Sequence, residues 1–308
     1  MKVVALTPRG YCHGVVYAIN TVRKIAENPR VKKPIHVLGM IVHNKKIVQD
    51  LDALGVKTLH QKGVSRLALL DRINEGTVIF TAHGVSDAVR KKAEEKHLDI
   101  IDTTCKDVFK SQETMKTYLS NGYDVIFIGK KTHPESETAL ALSEKVHVVS
   151  SEDDIDALDI KNNKIALTNQ TTMSMFDIYQ LNEALKKKHP SIELIEEICN
   201  ATKTRQLAVK TQDKTVDHCF VVGDKYSNNS NKLVETSMQA GISATLIESV
   251  EDIDINPLHF FEKVSVTSGA STPTKVTSEV IRFLQAFDKH VPSTHTPTSR
   301  IKKTNLFK

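Results

Sequence analysis

Three cysteines at regular spacing are the residues of this sequence best suited to chemistry. Cys12, Cys105 and Cys199 are separated by 93 and 94 residues. A thiolate is the form of cysteine that binds metals, and three converging thiolates could hold a metal centre. Zinc usually takes four ligands, often from close Cys-x-x-Cys pairs, which this chain lacks. A four-iron four-sulfur cluster usually takes four cysteines. Held by three, it would keep one open iron, an arrangement suited to catalysis.

Polar residues recur on the same period as the cysteines. One series follows the cysteines by 28 to 31 residues and a second series follows them by 66 to 72 residues. The first series is His43, His133 and Ser227, and the second is His83, Thr171 and Ser271. Internal periodicity of this kind usually means repeated supersecondary units. We therefore expect three similar lobes, each offering one thiolate and two polar strand tips to a shared centre.

Short apolar strands alternate with helices in each repeat, and the chemistry-bearing residues follow the strands. This alternation favours an α/β fold of small, mainly parallel sheets joined by right-handed crossovers. Ligands gather beyond the carboxyl ends of the strands in such sheets. In the third repeat, Thr272 is expected as the N-cap and Pro273 as the first residue of a helix. Each cysteine is expected between a strand end and a helix start, where the helix N-terminus stabilises an anionic sulfur centre.

The spacing predicts lobes at residues 1–104, 105–198 and 199–287, followed by a basic, disordered tail at 288–308. The chain has 308 residues, 40% of them hydrophobic, and a net charge of +5. The tail carries much of that surplus but no interleaved aromatic residues, so neither nucleic acid nor a membrane is expected as a partner. No signal peptide and no apolar run long enough to span a bilayer is evident. Four widely spaced cysteines then favour a reducing, cytoplasmic location.

The polar strand tips are suited to a phosphorylated ligand. Their side chains are hydrogen-bond donors placed before helices, where backbone amides also favour anions. The donors are His43, His83, His133, Ser227, Asn229 and Ser271. Neither a phosphate-binding P-loop motif nor a Gly-x-Gly-x-x-Gly motif occurs, so nucleotides are not indicated.

Glu135 is the titratable acid closest in sequence to these tips. Enclosure at the centre would raise its pKa and suit it to deliver protons, whereas the alternative is an exposed carboxylate with no role. Thr171 could relay a proton or hydrogen-bond a substrate hydroxyl. Cys219 lies in an apolar run and is expected to be a core residue.

Nine segments together resemble the 4-hydroxy-3-methylbut-2-enyl diphosphate reductases, the LytB-type iron–sulfur reductases of the non-mevalonate isoprenoid pathway. They occur in the order of that family and run from about residue 3 to residue 285. The segments are Pro8–Val15, Val42–Lys45, Thr81–Ser86, Asp102–Cys105, His133–Glu135, Thr168–Thr172, Glu197–Thr202, Ser227–Asn231 and Ser268–Ser271.

The resemblance implies a trefoil of three α/β lobes around a central metal site, with the first strand completing the sheet of the third lobe. It implies reductive removal of the allylic hydroxyl of the substrate, which gives isopentenyl and dimethylallyl diphosphate and water. The electrons would come from a flavodoxin- or ferredoxin-type donor.

The resemblance also implies residue roles. Cys12, Cys105 and Cys199 would ligate a 4Fe–4S cluster that keeps one open iron. Glu135, Thr171 and His133 would act in proton delivery and in orienting the hydroxyl. The substrate-binding residues would be His43, His83, His133, Thr171, Ser227, Asn228, Asn229 and Ser271.

Two departures from the family pattern lie beside these residues. Lys106 stands where proline commonly follows the second cysteine, and Thr132 stands where a glycine usually precedes the His-Pro-Glu motif. They are expected to affect redox potential and turnover more than the reaction itself.

Three other interpretations remain open on the sequence. One is a three-cysteine iron–sulfur dehydratase or synthase that acts on another anionic substrate. Another is a non-catalytic paralogue that binds only metal or diphosphate. The third is a structural zinc protein.

Overall fold

The computed structural model describes residues 1–195 and 199–299. Within them, strands and helices alternate along almost the whole chain. The strands are β1 (Lys2–Ala5), β2 (Ile35–Leu38), β3 (Val56–Leu59), β4 (Thr77–Phe80), β5 (Asp99–Asp102), β6 (Asp124–Ile128), β7 (Val146–Val149), β8 (Ile165–Asn169), β9 (Glu193–Leu194), β10 (His218–Val222), β11 (Ala244–Ile247) and β12 (Lys263–Ser268). The α-helices are α1 (His13–Glu27), α2 (Lys45–Asp52), α3 (Arg66–Leu69), α4 (Asp87–Glu95), α5 (Lys106–Ser120), α6 (Pro134–Leu140), α7 (Glu152–Asp156), α8 (Met175–Lys188), α9 (Asn200–Lys210), α10 (Asn228–Gln239) and α11 (Thr274–Ala286).

The strands form three four-stranded sheets, and every pairing within them is parallel. The strand orders are β1-β12-β10-β11, β3-β2-β4-β5 and β7-β6-β8-β9. Central strands such as β4 are buried along their whole length, as expected where helices cover both faces of a parallel sheet. The prediction of an α/β fold with three small parallel sheets flanked by helices is confirmed.

The first strand joins the sheet formed by the last third of the chain. Lys2 pairs with Lys263 and Ala5 with Val266, in parallel. The lobe boundaries predicted from the sequence stay a prediction. Within the predicted tail, Pro292–Thr294 form a short 3₁₀ helix, and residues 300–308 lie outside the described residues.

The chain divides into two compact units. The first unit comprises Met1–His13, His43–Asp50 and the described residues from Asn200 onward. The second unit comprises Gly14–Val42 and the described residues of Leu51–Cys199. It follows that the first sheet lies in the first unit and the other two sheets lie in the second unit.

Each unit has its own apolar core. In the first unit Cys219 is fully buried and packs with Val209, Val221 and Leu233, so the prediction that Cys219 is a core residue is confirmed. Burial raises the pKa of its thiol. In the second unit one cluster surrounds Phe80, and two clusters, around Phe127 and around Leu167, include residues of the sheet with β6 and β8.

The predicted start of α11 is wrong by one residue. Pro273, rather than Thr272, occupies the N-cap position and makes no side-chain capping bond. The Thr272 hydroxyl instead donates a hydrogen bond to the Val222 carbonyl at 2.9 Å. This bond fastens the loop after β12 to the end of β10. A capping pattern in the local sequence cannot predict such a contact, because the partner is distant in the chain.

None of the described helices combines the length and the apolar character needed to cross a membrane.

Candidate active site

The three periodic cysteines all lie at helix starts. Cys12 directly precedes α1, Cys105 is the N-cap of α5, and Cys199 directly precedes α9. Within the residues that the structure describes, none of the three forms a disulfide, and all three side chains are half-buried. The predicted position between a strand end and a helix start is therefore confirmed for each of them.

Close contacts surround two of these thiols within the second unit. A Cβ atom added at Gly14, in the first turn of α1, would lie 2.6 Å from Cys105 Sγ. Because real Cβ contacts are longer than that, only glycine permits this approach of the helix to the thiol. The Cys199 thiol donates a hydrogen bond to Asp107 Oδ2 at 3.1 Å. Two residues of the family-like segment before Cys199, Glu197 and Ile198, lie outside the described residues.

The chemistry of these thiols fits the ligands of an iron–sulfur cluster. They are half-buried and lie at helix N-termini, where the helix dipole stabilises a thiolate. Gly14 leaves the space beside Cys105 Sγ free of a side chain. Cys219, by contrast, is enclosed in the apolar core, an environment that disfavours the thiolate.

The polar residues predicted to bind substrate fall into one set in each unit. The set of the first unit contains no carboxyl group, so we call it the neutral cluster; it consists of His43, Ser227, Asn228, Asn229 and Ser271. The set of the second unit, which we call the acid cluster, consists of His83, His133, Glu135 and Thr171.

In the neutral cluster, hydrogen bonds between side chains and the backbone hold the strand tips in place. Ser227 is the N-cap of α10, and its hydroxyl accepts a bond from the Ser230 amide. Asn229 Oδ1 accepts from the Ala270 amide at 3.0 Å, and the Ser271 hydroxyl donates to the His43 carbonyl at 3.1 Å. These contacts link the start of α10 to the loop after β12, and that loop to the segment before α2.

The neutral cluster presents donors suited to an anion. Asn229 is only 4% exposed, and its Nδ2 has no hydrogen-bond partner among the described residues. A buried amide donor without a partner is costly, so its presence indicates a ligand that supplies an acceptor. Asn228, also buried, begins the twelve-residue helix α10, whose N-terminal amides favour negative charge.

In the acid cluster, Glu135 and Thr171 are joined by two hydrogen bonds. The Thr171 amide donates to Glu135 Oε2 at 2.9 Å, and the Thr171 hydroxyl donates to Glu135 Oε1 at 2.8 Å. His133 is the N-cap of α6, and its Nδ1 accepts from the Glu135 amide at 3.2 Å. The neutral His133 ring therefore carries its proton on Nε2. The rings of His83 and His133 pack edge to face, with centroids 5.5 Å apart.

Burial gives Glu135 an unusual pKa. Its side chain is only 6% exposed, and loss of solvation raises its pKa to about 7. The two hydrogen bonds from Thr171 and the charge of Arg66 act in the opposite direction. The prediction of a raised pKa is confirmed, and the alternative of an exposed carboxylate is wrong. A carboxyl group that titrates near neutral pH can act as a general acid.

The sequence-based site omitted Arg66, whose side chain is 5% exposed. Its backbone amide donates to Glu137 Oε1 at 2.9 Å. Leu69, Leu70 and Ile73, at helical spacing from Arg66, are all buried. This apolar spacing could have identified Arg66 from the sequence, because it places an arginine on the buried face of the helix.

The two departures from the family pattern are both exposed. Lys106 is the first residue of α5, and Thr132 lies in the loop before α6. Their expected effect on redox potential and turnover stays a prediction.

Comparison with known proteins gives concordant matches. The sequence profile of the LytB protein family matches residues 3–285. The 4-hydroxy-3-methylbut-2-enyl diphosphate reductase of Geobacillus kaustophilus is 49% identical over 296 residues, which cover 96% of this chain and 93% of that protein. The reductase of the same name from Symbiobacterium thermophilum is 49% identical over 294 residues, with 94% and 99% covered. The structure of E-1-hydroxy-2-methyl-but-2-enyl-4-diphosphate reductase from Plasmodium falciparum superposes with a TM-score of 0.86 at 32% identity, covering 96% of this chain and 90% of that one.

Proposed function

Because this chain belongs to the LytB family, we infer that it reduces 4-hydroxy-3-methylbut-2-enyl diphosphate in the non-mevalonate isoprenoid pathway. The reaction removes the allylic hydroxyl group. The carbon–oxygen bond breaks, two electrons and two protons are consumed, and the oxygen leaves as water. The products are isopentenyl and dimethylallyl diphosphate.

The structural observation that best supports this function is the buried, hydrogen-bonded pair of Glu135 and Thr171. A hydroxyl is a poor leaving group until it receives a proton, and Glu135 is a buried acid with a pKa near 7. We propose that Glu135 delivers this proton, and that the Thr171 hydroxyl fixes the carboxyl and the substrate hydroxyl in a common orientation. His133 is proposed to assist through the proton on its Nε2.

The LytB family implies an iron–sulfur cluster. We propose that the cluster is 4Fe–4S, that Cys12, Cys105 and Cys199 hold it, and that one iron has no protein ligand. When bound, the cluster supplies the two electrons of the reduction one at a time. A flavodoxin- or ferredoxin-type protein is the proposed donor, and a cytoplasmic location remains a prediction.

We propose that the diphosphate is bound by neutral donors. The hydroxyl and amide groups that bind the phosphate oxygens come from Ser227, Asn228, Asn229 and Ser271. These groups are uncharged, so they leave the charge at the reacting end of the substrate unchanged. The support for this is the buried Asn229 Nδ2, which lacks an acceptor among the described residues. The remaining proposed substrate-binding residues are His43, His83, His133 and Thr171.

The direct test is turnover by anaerobically reconstituted protein. We expect 4-hydroxy-3-methylbut-2-enyl diphosphate and a chemical reductant to give isopentenyl and dimethylallyl diphosphate, separated by chromatography. Absence of both products in protein that holds the cluster would contradict the function.

Metal and sulfide analysis of the same preparation tests the cofactor. A cluster of the proposed type requires about four irons per chain together with labile sulfide. Zinc without sulfide would contradict the proposed cluster and favour a structural zinc protein.

A further inference from the structure

Arg66 is a buried cation that the proposed reaction does not yet use. It begins α3, directly after the N-cap Ser65, and its guanidinium is enclosed. Nη1 donates to the Gly84 carbonyl, and Nη2 donates to the Thr81 hydroxyl at 3.3 Å. Gly39 lies beside the guanidinium: a Cβ atom added at Gly39 would lie 3.5 Å from Arg66 Nε.

These partners belong to the turn that carries His83. Thr81 and Gly84 flank His83, and the Thr81 hydroxyl lies 3.4 Å from His83 Nδ1. Arg66 therefore holds this turn on both sides of the histidine.

Arg66 also contacts the helix that carries the acid. Its backbone amide donates to Glu137 Oε1 at 2.9 Å, and Glu137 follows Glu135 by two residues on α6. Arg66 thus joins the turn after β4 to the first turn of α6, within the second unit.

The charge of Arg66 acts on the acid cluster. In the part of the chain that the structure describes, the hydrogen bonds of its guanidinium go to the neutral oxygens of Gly84 and Thr81. The guanidinium itself makes no hydrogen bond to a carboxylate among these residues; the Glu137 carboxylate bonds only to the backbone amide of Arg66. Burial lowers the pKa of Arg66 to about 10, so the group remains a cation at neutral pH. Its charge interacts most strongly with Glu137 and also with Glu135.

We propose that Arg66 is a positioning residue for the general acid: its fixed buried charge favours the carboxylate form of Glu135, and its hydrogen bonds hold the His83 turn. This inference rests on the proposed function only in that Glu135 is taken to deliver a proton. Without the cation, a carboxyl buried this deeply would hold its proton too tightly to release it efficiently.

Other groups of the acid cluster also bear on Glu135. Thr171 is uncharged and donates two hydrogen bonds to it. His133 accepts a bond from its backbone amide, His83 packs against His133, and Glu137 lies on the same helix. Arg66 is the cation among these groups and, with a pKa of about 10, stays charged where Glu135 titrates, so its replacement gives the clearest test.

The experiment titrates the Glu135 carboxyl by infrared difference spectroscopy in reconstituted protein. The band of Glu135 is identified by its loss in Glu135→Gln. In Arg66→Met, which removes the charge, the midpoint is expected to rise by about one pH unit. In Arg66→Lys, which keeps the charge, it is expected to stay within a few tenths of a unit of wild type. Arg72→Met, at an exposed arginine of the same sheet region, is the matched control and should leave the midpoint unchanged.

This readout does not require turnover, so it separates the role of Arg66 from the proposed reaction. An unchanged midpoint in folded Arg66→Met would overturn the inference, even if the reductase activity is established. If Arg66→Met does not fold, Arg66→Gln takes its place, with the same expected rise and the same contradicting result. A merely structural role would lower the thermal stability of both Arg66→Met and Arg66→Lys and would shift the midpoint in neither.

With turnover established, the pH profile gives a second readout. The rate is expected to fall as Glu135 loses its proton, so the alkaline limb should move to higher pH in Arg66→Met and remain in place in Arg66→Lys.

Discussion

The neutral cluster and the acid cluster lie at similar positions relative to their strands but differ in residue type. Both lie at the carboxyl ends of parallel strands, and both contain a helix N-cap, Ser227 in one and His133 in the other. The neutral cluster offers hydroxyl and amide donors such as Asn229, whereas the acid cluster is built around the carboxyl of Glu135. The same supersecondary position therefore serves anion binding in one place and proton delivery in the other.

Burial explains why residue type decides between these tasks. A buried amide such as Asn229 keeps its charge state and only needs a partner. A buried carboxyl changes its charge state, because loss of solvation disfavours the anion and raises the pKa of Glu135 to about 7. We therefore expect loss of the Glu135 carboxyl to affect kcat, and loss of the Asn229 amide donor to affect KM.

The largest expected effect is that of Glu135→Gln. The amide keeps the shape of the side chain but has no acidic proton, so kcat should fall at least about a hundredfold while KM changes little. Steady-state turnover with a chemical reductant measures both values.

Glu144→Gln, at an exposed glutamate, is the control for this loss and should leave turnover unchanged. Iron content should be the same in both variants. Near-normal kcat in Glu135→Gln would remove the acid cluster from the reaction.

The next largest effect is expected from Asn229→Asp. This change keeps the oxygen that accepts the Ala270 amide but replaces the buried donor with a negative charge. The KM for the diphosphate should rise by at least about tenfold, since a hydrogen bond to a charged group contributes about 1.5–3 kcal/mol. Asn256→Asp, at an exposed asparagine, is the control. A fall in kcat at unchanged KM would contradict the assignment of the neutral cluster to binding.

The last expected effect concerns stability rather than turnover. Because the pKa of Glu135 is raised in the folded protein, the stability it confers is present at low pH and is lost as pH rises from about 4.5 to about 7. Relative to Glu135→Gln, wild type should lose about 3 kcal/mol of unfolding free energy across that interval, at about 1.4 kcal/mol per pH unit. Denaturant titrations at pH 5 and pH 8 measure this difference. The same value at both pH values would mean that the carboxyl has an ordinary pKa.

Much of the fold could be predicted from local signals and period. The alternation of short apolar strands with helices fixed the α/β class, and the regular spacing of Cys12, Cys105 and Cys199 indicated three similar sheets. The strand order β3-β2-β4-β5 could not be predicted, because it depends on pairings between distant segments. Thr272 was misassigned for the same reason, since its hydroxyl bonds to Val222 rather than to its own helix.

The site was predicted in composition but not in its electrostatics. The raised pKa of Glu135 followed from an expected enclosure, and the structure traces it to burial by the protein. Arg66 lies far in sequence from its contacts Gly84 and Glu137, so no local pattern joins them. Its place on a buried helical stripe could be predicted, but its action on Glu135 required the tertiary structure.

In the proposed mechanism, the acid cluster delivers a proton while the neutral cluster binds the diphosphate. The most direct test of this assignment compares wild type with Glu135→Gln across pH 6 to 9. Taking ratios between the two proteins cancels the ionisation of the substrate itself. The kcat of wild type divided by that of Glu135→Gln is predicted to fall with rising pH, with a midpoint near 7. The same ratio of substrate dissociation constants is predicted to stay constant. A flat kcat ratio, or a dissociation ratio that titrates at the same midpoint, would contradict the account.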